Sequence, residues 1–164
     1  MKMKSRKMAG FGKRIEYWLI GQILKEGQDV YMPLVDYKGT DLLVKKSNGT
    51  FIEIQVKSSS KTIATGYSGL FGSIPHKDKK NYFYIFYSEK LNIIWIMSSA
   101  EFLKHSKQNK TGKHIGYRTI KLTGKRKDVS FEASAKKDKK TGKREEHVFE
   151  RFNKYIATDF SRFK

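Results

Sequence analysis

Cysteine is absent from the 164 residues. That excludes a disulfide framework and any thiolate metal site, and it fits a reducing cytoplasm, the expected location. Long apolar runs are missing as well. The longest candidate, Leu91 to Met97, is interrupted by Asn92 and falls far short of the ~18 residues that read as a membrane span. Met1 to Gly12 is basic but has no apolar stretch, so it does not read as a secretory signal. Acids are the third scarcity. Asp and Glu number 16 against 35 Lys and Arg, a formal net charge of +19.

A field of that sign attracts polyanions and raises their association rate. An anionic membrane surface is the rival partner, but it calls for a basic amphipathic helix or a lipid anchor, and neither is evident. Plain solubility rarely needs so one-sided a balance. Nucleic acid is therefore the expected partner, DNA ahead of RNA, with no membrane association.

The length fits one domain with a single core, preceded by a basic arm over about residues 1–11. The spacing of Ile15, Leu19 and Ile23 predicts a helix over 12–26 that stops at Gly27. Strands are expected over 29–34, with Pro33 marking an edge or end, and over 40–46, 51–58, 82–87 and 93–97. Residues 59–80 read mostly as a long loop, a feature that is often functional. Ser99 is a candidate cap for a short helix to His105. The segment from Lys104 to Arg144 is strongly basic, with Asp128, Glu132 and Asp138 as its only acids, and it includes a strand over 117–122. A last helix is expected over 145–157, with Val148, Phe149, Phe152, Tyr155 and Ile156 as its apolar face. This order gives an α+β, or mixed α/β, domain. Thr-Gly-Lys recurs at 111, 123 and 141 as plausible basic turn tips, without the strand-to-helix context of a phosphate-binding Walker loop.

The chemistry concentrates between Asp41 and Lys57. In Phe51 to Lys57 the alternation is clean: Ile52, Ile54 and Val56 face one way, and Glu53, Gln55 and Lys57 the other. Register decides what joins the polar row. A two-residue Asn48-Gly49 turn pairs residues summing to about 97 and exposes core positions. A three-residue Ser47-Asn48-Gly49 loop, with Gly49 left-handed, pairs residues summing to about 96 and keeps both apolar faces together. The second register sets Leu43 against Glu53 and Asp41 against Gln55, with Cβ atoms ~5 Å apart. A hard cation such as Mg²⁺ takes oxygen ligands. Asp41 offers a carboxylate, Gln55 an amide oxygen and Val56 its carbonyl, while Lys57 is placed to orient water and steady charge on a phosphate.

Asp41, a short hairpin and then Gln55-Val56-Lys57 resemble the PD-(D/E)xK nuclease superfamily, whose motif is Asp followed, on the next strand, by an acid, any residue and Lys. The resemblance extends to Glu16, because many members, archaeal Holliday-junction resolvases among them, place an acid on the first helix at the edge of the metal site. It covers about residues 10–60. It implies a restriction-endonuclease-like core, a central mixed β-sheet flanked by helices, and Mg²⁺-dependent cleavage of DNA, with Mn²⁺ as a substitute. Catalytic roles then fall to Glu16, Asp41, Gln55 and Lys57, with Asp41, Gln55 and Glu53 as metal ligands. By the same analogy a homodimer is expected. Two positions depart from the pattern. Thr40 precedes Asp41 where Pro is usual, and Gln55 stands where an acid is usual, as in some homing endonucleases. Glu53, on the same face, is the candidate to restore that charge.

Lys61, Lys77, Lys113, Arg118, Lys125, Arg126 and Lys143 are the candidate phosphate contacts. Two other readings are open at this point. The polar row is an ordinary solvated strand face, or the protein keeps the nuclease fold, binds nucleic acid and does not cleave. His76 and Asn81 with His105 or His114 make a weak match to a His-Asn-His metal finger, because the strand-turn-helix frame is missing. These histidines read instead as surface or phosphate-contacting residues. The aromatic run Tyr82 to Tyr87 reads as core rather than as a base-stacking platform.

Overall fold

A computed structural model describes residues 2–35, 39–125 and 146–164, with side chains from residue 10 onward. The first helix, α1 (Lys2–Lys25), buries Leu19 and Ile23 completely, and Ile15 and Ile20 pack beside them. It ends as the sequence predicts. Gly27 is left-handed at φ 76°, its N–H donates to Leu24 O, and the Gln28 N–H donates to Ile23 O. Those two bonds form a Schellman closure, which needs the freedom of glycine at that point. The helix begins earlier than expected, so residues 2–11 continue it rather than forming a separate arm.

Beyond the helix run β1 (Asp29–Tyr31), β2 (Leu42–Lys45), β3 (Phe51–Ser59), β4 (Leu70–Ile74), β5 (Tyr82–Ser88) and β6 (Ile93–Ser98). Then come α2 (Ser99–His105), β7 (Lys107–Gln108), β8 (Arg118–Lys121), β9 (Thr123–Lys125) and β10 (Glu146–Val148), followed by 3₁₀ turns at Glu150–Tyr155 and Ser161–Phe163. The main sheet has the order β1-β2-β3-β5-β6; β3 and β5 are parallel, and the other pairs are antiparallel. A central mixed sheet flanked by helices is the α+β architecture expected from the sequence.

The alternation of side chains splits the core into two layers. On one face Leu42, Val44, Ile52, Ile54, Val56, Ile85 and Ile96 pack with Leu19 and Ile23 of α1 and with Phe160 and Phe163. On the other, Tyr82, Tyr84, Phe86, Trp95 and Met97 pack with Phe71, Ile74, Phe102, Ile120 and Phe152. The aromatic strand is therefore core, as its composition suggests. Glu53, Gln55 and Lys57 lie on this second face, in register with Tyr82, Tyr84 and Phe86 of β5.

Four expectations need correction. The long loop contains β4, which pairs with β8. Gly72 and the positive-φ residue Ser73 interrupt its apolar pattern as a bulge, which hides the strand from a period-2 reading. The last segment is not an α-helix: His147 pairs with Gly124, Phe149 N–H donates to Leu122 O, and only a 3₁₀ turn follows. Phe152 and Tyr155, three apart and both buried, suit that tighter repeat. Thr123-Gly124-Lys125 is strand β9 rather than a turn tip, whereas Gly112 does sit in a turn at φ 82°. The third Thr-Gly-Lys, at 141, lies outside the described residues. Finally, Ser98 rather than Ser99 caps α2, in a reciprocal capping box with Glu101. Among the described residues no helix is long and apolar enough to cross a membrane.

Candidate active site

The β2–β3 hairpin closes through the three-residue loop. Lys46 N–H donates to Thr50 O, Gly49 N–H donates to Lys46 O, and Gly49 is left-handed at φ 81°. Asn48 Oδ1 accepts from Thr50 N at 3.0 Å and from the Thr50 hydroxyl at 2.7 Å. The pairs are Leu42 with Ile54, Leu43 with Glu53, Val44 with Ile52 and Lys45 with Phe51.

At Asp41 the ladder changes. Its N–H donates to Ile54 O at 2.9 Å, and its carboxylate Oδ2 accepts the Val56 N–H at 2.7 Å. The carboxylate thus stands where the next backbone acceptor of β2 would be, just before the start of that strand. N–H and C=O of one strand residue point to the same side, so the Val56 carbonyl lies along the same edge. Gln55, only 6 % exposed, packs its amide against Gly39. A Cβ on Gly39 would fall 2.5 Å from Gln55 Nε2. Gly39 O accepts from the Tyr82 hydroxyl at 2.8 Å. Lys57 is half-buried on the same row.

Glu53 is drawn in another direction. Its Oε2 accepts from the buried Thr40 hydroxyl at 2.8 Å and lies 3.7 Å from Lys79 Nζ. Thr40, read from sequence only as a departure from Pro, thus acquires a partner. Glu16 pairs with a lysine one turn away on the helix: its side chain is 12 % exposed and bonded at 2.5 Å to the exposed Lys13 Nζ. Lys13 is held above the ordinary lysine value first by that hydrogen bond and then by the charges of Glu16 and Asp41. Lys13 is a functional candidate that the sequence reading missed; its only signal is the i, i+3 spacing to Glu16.

On the β5 side of Gln55 lies a cleft of about 660 Å³ lined by Gly39, Gln55, His76, Lys79, Tyr82 and Tyr117, among others. His76 is half-buried and lines this cleft. Its ring lies 5.1 to 5.5 Å from those of Tyr82, Tyr84 and Phe102, and its Nε2 is 2.7 Å from Ser99 Oγ. Burial, aided by the nearby charges of Lys79 and Arg118 and opposed by Asp78, pushes its pKa down to about 4. His105 is bonded to the Tyr155 hydroxyl, and His114 stacks on Tyr117. Among the described residues no group of three or more His, Cys, Asp or Glu is arranged to hold a metal.

The candidate phosphate contacts divide by exposure. Lys61, Lys77, Lys113 and Lys125 are exposed. Arg118 is half-buried, and its Nη1 donates to Ser106 Oγ at 3.3 Å, which makes it a packing residue more than a projecting cation. Arg126 and Lys143 lie outside the described residues.

Neither a protein-family model nor a curated protein matches the chain. Among solved structures the chain is similar to a bacterial homing endonuclease, I-Ssp6803I, with a TM-score of 0.46 and 23% sequence identity over 65% of this chain and 85% of that one.

Proposed function

We propose that the protein is a metal-dependent DNA endonuclease of the PD-(D/E)xK type, in a Gln-x-Lys form, that acts in the cytoplasm as a homodimer. The observation that carries this reading is the bond from Val56 N–H to the Asp41 carboxylate. It ties the acid of one strand to the centre of Gln55-Val56-Lys57 on the next. The candidate donors are oxygens: the Asp41 carboxylate and the Val56 carbonyl on that edge, and the amide oxygen of the neighbouring Gln55. Such donors suit Mg²⁺ or Mn²⁺ and no softer metal. When bound, the cation supplies Lewis-acid stabilisation of charge on the phosphate.

The chain's own residues divide the remaining work. Asp41 and the Val56 carbonyl would hold the cation, with the amide oxygen of the neighbouring Gln55 as a further donor. Lys57 Nζ donates hydrogen bonds to the attacking water and to a non-bridging phosphate oxygen. The water oxygen forms the new P–O bond, one ester P–O bond breaks, and the proton lost by water is returned to the departing oxygen. Glu16 pairs with the exposed Lys13 on the helix side of Asp41.

The test uses linear, supercoiled and four-way-junction DNA with Mg²⁺, Mn²⁺ or EDTA. Cleavage should require the metal and fall by about 10²–10⁴-fold in Asp41→Ala and in Lys57→Ala, with DNA binding retained. Binding without cleavage under every condition would favour the second reading, a DNA-binding protein with the same fold and no hydrolytic activity. One observation speaks for it: Gln55 is neutral, and Glu53 is engaged by Thr40 and Lys79, so among the described residues Asp41 is the one carboxylate left on that edge.

A further inference from the structure

The cleft beside Gln55 has no role in the hydrolysis just described. It is too well built for an incidental hollow. One wall is the segment from Pro75 to Lys79, tied down by Ser99, which is 2 % exposed. The Ser99 hydroxyl donates to Asp78 Oδ1, accepts the Lys79 N–H and meets His76 Nε2, all within 2.9 Å. A wall anchored at three points to a buried hydroxyl is set before any ligand arrives, which lowers the ordering cost of binding. The facing surface is Tyr117, which is 37 % exposed and lies 5.3 Å from the His114 ring, whereas Tyr82 is the buried floor, 2 % exposed beneath Lys79 Nζ at 4.3 Å. Gln108 supplies an amide to the lining, and its Nε2 is held by Gly116 O.

The volume, about 660 Å³, lies within the ~300–1,000 Å³ range of small-ligand sites. It is far too small for a duplex, whose major groove alone is about 12 Å wide. One exposed aromatic face, an amide for a base edge and the exposed Lys77 for phosphate match a single nucleotide. Gln55 forms part of both this cleft and the proposed hydrolytic edge.

We infer that the cleft receives one nucleotide of the DNA substrate, turned out of the helical stack beside the phosphate to be cut, with its base against Tyr117 and its phosphate at the exposed Lys77. This rests on the nuclease reading, and it adds a substrate class: DNA with an extrahelical base, or a base that the protein itself extrudes. Extrusion costs a few kcal/mol of stacking and pairing, least where the base is already unpaired. An existing bulge should therefore be preferred.

The probe is a short duplex with a single bulged 2-aminopurine, compared with the same duplex carrying an abasic bulge. The full chain is titrated into each in EDTA, so that no activity is required. The base-bearing bulge should bind about tenfold more tightly, the scale of one base stacked on an aromatic side chain, and its fluorescence should be quenched. Tyr117→Ala should abolish both effects and Tyr117→Phe should keep them. Equal affinity for the two duplexes, or a preference untouched by Tyr117→Ala, overturns the inference. Asp41-dependent cleavage without base preference refutes the cleft and leaves the nuclease reading standing. Base preference without any cleavage supports the cleft and removes the hydrolysis.

Discussion

Gly39 meets two demands at once: a backbone at φ 76° and an amide packed where a Cβ would be. An L residue held in the left-handed region is strained by ~1–3 kcal/mol. Gly39→Ala should lower stability by about that amount in urea denaturation, and it should also push Gln55 off the hydrolytic edge and reduce cleavage. Undiminished cleavage would show that the Gln55 amide does not need this seat. His76 offers a second residue-scale prediction. Its pKa falls from 6.5 to about 4 in the folded protein, so between those values the unfolded chain binds more protons. Stability from His76 is therefore full above pH 6.5 and is lost as the pH falls toward 4. His76→Gln should flatten the pH dependence of the urea midpoint in that window. His105, also lowered by burial, leaves a residual slope in both proteins, so the difference between them is the measurement.

At the scale of elements, α2 is a short helix held at its N-terminal end. Ser98 Oγ accepts the Glu101 N–H, and Glu101 Oε2 accepts the Ser98 N–H. Arg162 grips Glu101 with Nη2 bonds of 2.7 and 2.9 Å. The Glu101 carboxyl is held below its ordinary range, because the Ser98 and Arg162 interactions outweigh a larger opposing effect of burial. A helix of one to two turns depends on such caps, since propagation alone cannot sustain it. Ser98→Ala should cost about 1 kcal/mol, read as a fall in the urea midpoint at unchanged slope. Phe102 of α2 is fully buried among Tyr84, Phe86 and His76, and Ser99 anchors the cleft wall. A loosened α2 should therefore also weaken the proposed base preference. The β2–β3 hairpin works in the same way: the Gly49 turn sets the register, and the register delivers Asp41 to Val56.

For the whole molecule, charge governs association. A balance of +19 on 164 residues, with exposed Lys61, Lys77, Lys113 and Lys125, predicts DNA binding driven by counterion release. Affinity should fall linearly on a log–log plot of salt, with a slope near −0.9 for each phosphate neutralised. If about six phosphates are contacted, raising salt from roughly 50 to 200 mM should cost on the order of a thousandfold in affinity. Filter binding or fluorescence anisotropy at several salt concentrations gives the slope. A flat dependence would remove polyanion binding, and with it both functional readings. Mutating Lys77 should lower the slope by about one, whereas Arg118, occupied by Ser106, should change it little.

What the sequence determined by itself is what near neighbours encode. The stripe of Ile15, Leu19 and Ile23, the two-residue alternation of β3, the Gly27 stop and the Ser47-Asn48-Gly49 turn depend on contacts or dihedrals within a few residues. From them came α1, the hairpin register and the polar row of Glu53, Gln55 and Lys57. What tertiary structure decided depends on partners far along the chain. Leu70–Ile74 is a strand because β8 is there to pair with it. Glu146–Val148 leaves its helical pattern because β9 offers backbone partners, and a ladder between distant segments outweighs local propensity. The candidate site divides in the same way. The residues Asp41, Gln55 and Lys57 were legible from spacing. The turning of Asp41 onto Val56 N–H, the diversion of Glu53 to Thr40 and Lys79, the burial of Glu16 and the placing of His76 in the cleft were not. Those follow from which oxygens and cations meet when the sheet, the helix and the 75–79 wall are packed together, and a buried polar group must take whichever partner that packing brings within reach.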